Sequence, residues 1–299
     1  MNKCKTIAVL FHESATPKQM RNYRAWHLAQ VWKDWGIDVQ LLRGANDSID
    51  ADLVIPQIDL SVRPRAYRFL QDSKGVVLNR NVLDIRKTSF SRNLVSMQDE
   101  YDGPVIVKTN ANSGGAPENL VFRALPPIRR KIFLARRLLI QFVRTGSIDR
   151  LAYVRTLNSN KYPVYPSKRE VPRGVFKNPN LVIEKFLPEK NGDFYYSRSY
   201  VFLGNEGVAV RIKSECPVVK NTVLPDLEFV PIDETMVAAR EALGFDYGKF
   251  DYVVHNGEPV LLDINATPYL GTSYSPEVKQ RIVAQLAKGI ATWFSDSYE

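Results

Sequence analysis

The first third of the chain alternates short apolar runs with segments of helical period. Thr6–Phe11 is a continuous apolar run of strand length. Leu28, Val31, Trp32 and Trp35 recur at helical spacing within Lys18–Trp35, and Gly36 stands where a C-terminal cap belongs. Ile37–Leu42, Asp52–Ile58 and Val76–Leu78 predict three further strands, with a short helix over Arg65–Asp72. Strand and helix alternating at this pace predict a parallel α/β sheet. Such sheets bind ligands beyond the carboxyl ends of their strands, where His12, Glu13 and Ser14 fall. These three either help hold a substrate or form a polar loop.

From Lys87 the pattern changes. Pro104–Lys108 predicts a strand, Thr109–Gly115 a hairpin loop and Asn119–Arg123 a returning strand. Backbone N–H groups of small and glycine residues close readily over phosphate oxygens, and a nearby lysine adds charge. A surface turn explains the same residues, and the spacing matches neither a Walker loop nor a dinucleotide fingerprint. Ile128–Val143 predicts an amphipathic helix, with Ile128, Ile132, Leu139 and Phe142 or Val143 on one side. Arg129, Arg130, Arg136 and Arg137 lie largely elsewhere, as a solvated face or as a surface for a polyanion or an anionic membrane. Tyr153–Gly174 reads as a loop or lid, without the aromatic pattern of an RNA-recognition module. Leu181–Leu187 and two following strands come next. Asp233 then caps a helix ended by Gly244, and Ser275-Pro276 opens a last helix to about Trp293.

The densest chemistry lies in Phe250–Tyr269. Two β-rich runs flank Asn256-Gly257, a strong hairpin signal. Asp251 begins the first run, and Asp263 and Asn265 end the second on a common face. Two carboxylates and an amide oxygen are hard ligands suited to Mg²⁺. A plain two-residue turn would pair Asp251 with Leu262 and send Asp263 to the other face. A three-residue loop, or a bulge with the same effect, is therefore predicted. Taken alone, Asp263-x-Asn265 also suits the end of a strand and the cap of a turn.

Composition narrows the classes. At 299 residues with 44% hydrophobic and 24% charged, the chain is an ordinary globular protein of two or three subdomains. Two cysteines exclude a disulfide framework, and the three histidines lack metal-ligand spacing. Thr6–Phe11 is too short for a signal-peptide core and no later run is long enough for a membrane span, so the expected setting is the cytoplasm. Net charge is +9, and it is concentrated: Arg123–Arg173 holds thirteen Lys or Arg against Asp149 and Glu170. That region faces solvent or an anionic partner.

In their order, Lys87, Lys108, the glycine loop, Ile183–Leu187, Asp193, Arg198, Arg211, Asp251 and Asp263-x-Asn265 resemble the ATP-grasp superfamily. The likeness is to its carboxylate–amine ligases, of the glutathione synthetase, D-alanine–D-alanine ligase and ribosomal-protein glutamate ligase type. Leu261-Leu-Asp-Ile-Asn-Ala-Thr-Pro268 matches the family's acidic-x-Asn-x-x-Pro ending. The resemblance implies an N-terminal parallel α/β substrate domain (1–86), a lid subdomain with a basic helical insertion (87–182) and a C-terminal metal-binding subdomain (183–299), the last two α+β and clasping ATP. It implies that Lys87 and Lys108 contact the phosphates and that Ser113, Gly114 and Gly115 close over them. Glu184, Lys185, Phe186 and Leu187 would line the adenine hinge, with Glu184 or Asp193 near the ribose. Arg198, Arg211 and Lys213 would serve as catalytic cations facing the transferred phosphate and substrate. Lys249 stands where relatives carry an arginine toward the phosphates. Asp251, Asp263 and Asn265 would hold one or two Mg²⁺ ions, with Mn²⁺ a substitute.

The implied reaction activates a carboxylate as an acyl phosphate and joins it to an amine, releasing ADP and Pi. The carboxylate substrate would be anionic, small or polymeric; nucleic acid is not expected, and a homodimer is. No enzyme nucleophile is needed, in keeping with the lack of serine–histidine or cysteine–histidine motifs. A phosphotransferase of the same fold, or a non-catalytic ATP-binding protein docking through its basic segment, are the alternatives. Four departures mark this chain within the resemblance: Asp at 263 where relatives carry Glu, a short Lys87–Lys108 spacing, the long basic insertion, and a stretch after Arg211, to Asn221, that lacks the glycine pair of the glutamate ligases.

Overall fold

The computed structural model describes residues 3–45, 49–146, 150–219, 226–271 and 274–295. They fall into two compact units, one made of 1–84 with 188–299 and the other of 85–187.

The first unit begins with four parallel strands, β1 (Thr6–Phe11), β2 (Asp38–Arg43), β3 (Leu53–Gln57) and β4 (Val76–Val77), in the order β2-β1-β3-β4. Both faces of β1 are buried, as its unbroken apolar run requires: Ile7, Val9 and Phe11 enter one core and Ala8 and Leu10 another. The helix predicted over Lys18–Trp35 is two helices, α1 (Pro17–Met20) and α2 (Arg24–Asp34). Backbone pairing interrupts it. Tyr23 bridges Tyr269, Arg24 N–H donates to Pro268 O at 2.9 Å, and Leu270 N–H donates to Asn22 O at 3.0 Å. Gly36 ends α2 with φ of 80°. The helix predicted over Arg65–Asp72 is a 3₁₀ helix, Arg65–Gln71.

The second unit contains α3 (Lys87–Phe90), β5 (Val105–Thr109), α4 (Ala116–Ala124), α5 (Pro127–Thr145), β6 (Val164–Tyr165), α6 (Arg173–Phe176) and β7 (Leu181–Lys185). Its sheet is antiparallel, in the order β6-β5-β7. The strand predicted at Asn119–Arg123 is a correction: those residues lie in α4, and Thr109–Gly115 is not a hairpin loop. Pro117 in the first turn suits a helix start. Phe122 packs on Phe133 of α5 with ring centroids 5.3 Å apart, and the Arg155 guanidinium lies 4.3 Å over the Phe122 ring. These tertiary contacts override the local β preference of Val121-Phe122.

Returning to the first unit, β8 (Glu189–Asn191), β9 (Phe194–Leu203), β10 (Glu206–Ser214), β11 (Leu227–Val230), β12 (Tyr247–His255) and β13 (Glu258–Asn265) form an antiparallel sheet. Its order is β11-β10-β9-β12-β13, with β8 also pairing β9. α7 (Glu234–Ala242) is capped by Asp233, whose carboxylate accepts from Thr235 N–H at 2.9 Å. α8 (Pro276–Ala287) is capped by Ser275 and continues as a 3₁₀ turn to Thr292. Trp32 of α2 is fully buried and donates its indole N–H to Ala287 O at 3.0 Å. Val201, Leu203 and Ile212 share one core with Val9, Leu28 and Leu286, so the parallel and antiparallel sheets of this unit are a single packed body. Among the described residues no helix is long and apolar enough to cross a membrane.

Candidate active site

The β12–β13 hairpin turns on Asn256 (φ 52°) and Gly257 (φ 85°), the paired positive φ angles of a two-residue type I′ turn. From the turn inward, His255 opposes Glu258 and Tyr252 opposes Leu261. The register then slips, and Asp251 opposes Asp263. Leu262 is the extra residue of a bulge. The bulge, rather than a longer loop, provides the predicted parity. Lys249 opposes Asn265, so Lys249, Asp251, Asp263 and Asn265 share one face.

Each side chain there has partners. Lys249 Nζ lies 2.7 Å from Asp251 Oδ2, and Ser199 of β9 donates its hydroxyl to Asp251 Oδ1. Burial alone would push the Lys249 ammonium down, but Asp251, Tyr274 and Asp263 together raise it above the ordinary lysine value. Asn265 Oδ1 accepts from Thr267 N–H at 2.8 Å, the turn-capping role that its position also suggests. Thr267 Oγ1 donates to Asp59 Oδ1 at 3.0 Å. Asp59 Oδ2 in turn accepts from Tyr23 Oη at 2.8 Å and Tyr269 Oη at 3.3 Å, and those two rings stack 4.6 Å apart. Thus the end of β13 is tied to the carboxyl end of β3. Asp59, Tyr23 and Tyr269 carry no local sequence signal, because Tyr23 and Asp59 are 36 residues apart and Tyr269 lies more than two hundred residues beyond both. Arg24 is fully buried beside them. Its Nη2 donates to Tyr269 O at 3.2 Å, while Nε and Nη1 have no hydrogen-bond partner among the described residues.

Arg198, Arg211 and Lys213 are not brought to these carboxylates. Ser199 opposes Asp251 and Arg198 opposes Tyr252, so Arg198 points to the other side of the sheet. Arg211 opposes Arg198 and Lys213 opposes Tyr196, which puts all three cations on that side. There Arg198 forms a fork with Glu189 (Nη2 to Oε1 2.8 Å, Nε to Oε2 3.0 Å). That pairing raises the guanidinium above its ordinary value, against the effect of burial. Arg211 pairs with Glu228 and lies 4.6 Å over the Tyr196 ring, and Lys213 Nζ is 3.9 Å from the centre of the Phe194 ring. Asp193 sits in the turn between β8 and β9.

In the second unit, Lys108 Nζ and Glu184 Oε2 form a buried ion pair at 2.8 Å, and Ser91 also donates to Glu184. Lys87 is buried at the start of α3, where its N–H donates to Asn110 O at 3.0 Å and Thr88 N–H donates to Asn110 Oδ1 at 3.1 Å. Ser113, Gly114 and Gly115 are all left-handed, with φ of 50°, 69° and 74°. A Cβ on Gly114 would come within 2.4 Å of Leu157 O, so close backbone approach already demands glycine there. The loop delivers Gly115 to the N-terminus of α4, an arrangement that favours anions. At the end of β7, Lys185 N–H donates to Asn93 O and Phe186 N–H to Pro104 O, both at 2.8 Å, with Leu187 next in the chain.

Mg²⁺ takes one or two carboxylates and fills its shell with water and phosphate. Asp251 and Asp263, opposed on one face, fit that donor set. Among the described residues no group of three or more His, Cys, Asp or Glu that could hold a metal ion forms.

The chain has the ATP-grasp fold. It is similar to D-alanine–D-alanine ligase from Bacillus anthracis, at 11% identity and a TM-score of 0.51, over 96% of this chain and 95% of that one. A RimK domain ATP-grasp protein from Sphaerobacter thermophilus aligns at 11% identity over 95% of this chain and 99% of that one, with a TM-score of 0.46. No protein-family model matches the sequence, and no curated protein matches it.

Proposed function

We propose that the protein is an ATP- and Mg²⁺-dependent carboxylate–amine ligase. The observation that carries this proposal is the bulge in β13, which sets Asp251 against Asp263 with Lys249 and Asn265 on the same face. ATP would supply the phosphoryl group that turns a carboxylate into an acyl phosphate open to an amine, with Mg²⁺ offsetting the charge gathered in the transfer. Asp251 and Asp263 would hold the metal. Asn265 orients Thr267 and, through it, Asp59. Lys249, held charged beside Asp251, is the cation best placed on this face for the transferred phosphate. Lys87, Lys108, the Ser113–Gly115 loop and the N-terminus of α4 would hold the phosphate chain, with Glu184–Leu187 and Asp193 toward adenosine. Arg198, Arg211 and Lys213, expected as catalytic cations, lie on the opposite side of the sheet from these carboxylates and are given no role here, which makes them the contrasting test.

Thermal melts with ATP, with and without Mg²⁺, test the site. Binding to the folded state alone stabilises by about 2.7 kcal/mol at a hundredfold excess over Kd. A Mg²⁺-dependent shift is expected for wild type and for Arg211→Gln. It should be largely lost in Asp263→Ala and reduced in Lys249→Gln. Phosphate release with panels of acids and amines then identifies the reaction: ADP, Pi and a condensed product mark a ligase, a phosphorylated acceptor a phosphotransferase. No Mg²⁺-dependent shift in folded wild type would overturn the proposal.

A further inference from the structure

The predicted amphipathic helix at 128–143 is present as α5, but its apolar stripe faces outward. Ile128, Ile132, Leu139 and Val143 expose 64, 61, 66 and 76% of their surface, and Phe142 beside them 56%. At 100° per residue the first four fall within about 60° of one another, a continuous stripe along the helix. The inward side is held by polar groups together with Phe133, which packs on Phe122. Gln141 is buried and donates to Lys177 O at 3.3 Å, and Arg137 Nη2 donates to Tyr153 O at 3.2 Å and Val154 O at 3.3 Å. A soluble amphipathic helix ordinarily turns the other way.

We propose that this face of α5 docks on an anionic lipid surface. Charge selects the occupant. The helix carries Arg129, Arg130, Lys131, Arg136, Arg137 and Arg144 and no acidic residue. Arg129 and Arg136 lie on one flank of the stripe and Lys131 on the other, each within about 90° of its centre. Pairing two copies through α5 would bring their cations together without a counter-charge. Nucleic acid would meet the cations but leave the stripe of Ile, Leu, Phe and Val in water. An anionic bilayer satisfies both, with the stripe among acyl chains and the cations at headgroup level. A helix of this charge lies in the interface rather than crossing it, which agrees with the lack of a candidate span among the described residues. This proposal does not depend on the ligase reading.

Sedimentation of the full chain with vesicles tests it. Wild type should partition onto mixed phosphatidylglycerol–phosphatidylcholine vesicles, release as salt rises, and ignore pure phosphatidylcholine. Arg129→Gln and Arg136→Gln should each weaken partitioning about fivefold. Leu139→Glu combined with Val143→Glu, at exposed positions, should abolish partitioning while leaving the melting curve unchanged. Failure of wild type to bind the anionic vesicles would overturn the proposal without any variant. So would binding that survives the double Glu substitution, or a wild-type dimer that the substitution dissociates in analytical ultracentrifugation.

Discussion

Asn79, just past β4, is a single buried side chain on which the start of β12 depends. It sits at φ 53°. Its Nδ2 donates to Tyr247 O at 2.7 Å, and its Oδ1 accepts from Asp246 N–H at 2.8 Å and Tyr247 N–H at 3.1 Å. Asn79→Ala removes all three bonds and leaves polar groups of the fully buried Tyr247 unmet. Each buried group left unsatisfied costs about 1–3 kcal/mol. Alanine in the left-handed region adds about 1 kcal/mol, which asparagine avoids more readily. The expected loss is therefore about 4 kcal/mol, a large share of the roughly 5–15 kcal/mol of a native protein. For a unit of this size each kcal/mol moves the midpoint about 2–4 °C, so calorimetry should show a fall of roughly 8–16 °C. Asn79→Gly separates the causes: it relieves the backbone but restores no bond, and should recover only about 1 kcal/mol. If Asn79→Ala costs less than about 1 kcal/mol, or Asn79→Gly matches wild type, the bonds do not do what is claimed for them.

Stability should also depend on pH through His12. Burial holds its imidazole below the ordinary 6.5, against the opposing pull of Glu13 and Asp59. The unfolded chain therefore takes the proton first, and stability is full above pH 6.5 and declines below it until the folded group also protonates. Denaturant midpoints between pH 8 and 5 should show this slope, shallower in His12→Asn; an unchanged slope would remove His12 as the cause. In the second unit, Lys108→Met strands the Glu184 carboxylate, which is 2% exposed, and should cost about 3–5 kcal/mol in chemical denaturation. Lys108→Met with Glu184→Leu should recover most of that loss, and a double variant no better than the single one would show that the pair is not the relevant unit.

β1 and β3 of the parallel sheet were legible because their apolar runs are buried on both faces, and periodicity reports that directly. Caps were legible for the same local reason: Gly36, Asp233, Gly244 and Ser275 stand where the structure uses them. What failed was non-local. The break at Arg21–Tyr23 is made by backbone pairing with 268–270, and nothing within 18–35 announces it. Asn119–Arg123 has strand-like residues but takes a helix that packs Phe122 on Phe133. Helical spacing located the stripe of α5 but not its direction, because orientation is decided by Tyr153, Val154 and Lys177 on other segments. At the candidate site, Asn256-Gly257 located the hairpin that carries Asp251 and Asp263. Order along the chain could not show that Arg198, Arg211 and Lys213 lie on the far side of the sheet, which depends on the registry of β9 with β12.

That registry gives the bulge its meaning. In an unbroken β12–β13 ladder running in from the Asn256-Gly257 turn, Leu262 would oppose Asp251 and Asp263 would turn to the side that carries Arg198 and Arg211. One carboxylate would then stand beside Lys249 and the other among the arginines. A single extra residue at 262 prevents this division. Bulges give up ladder pairing and gather near sites where a side chain must be re-aimed. Here the re-aimed residue is an acid, and its new neighbours are an acid, a lysine and an asparagine. Two carboxylates facing each other repel unless a cation joins them. Lys249 pairs with Asp251, and the two opposed carboxylates of Asp251 and Asp263 are the donors on this face that a divalent ion would join.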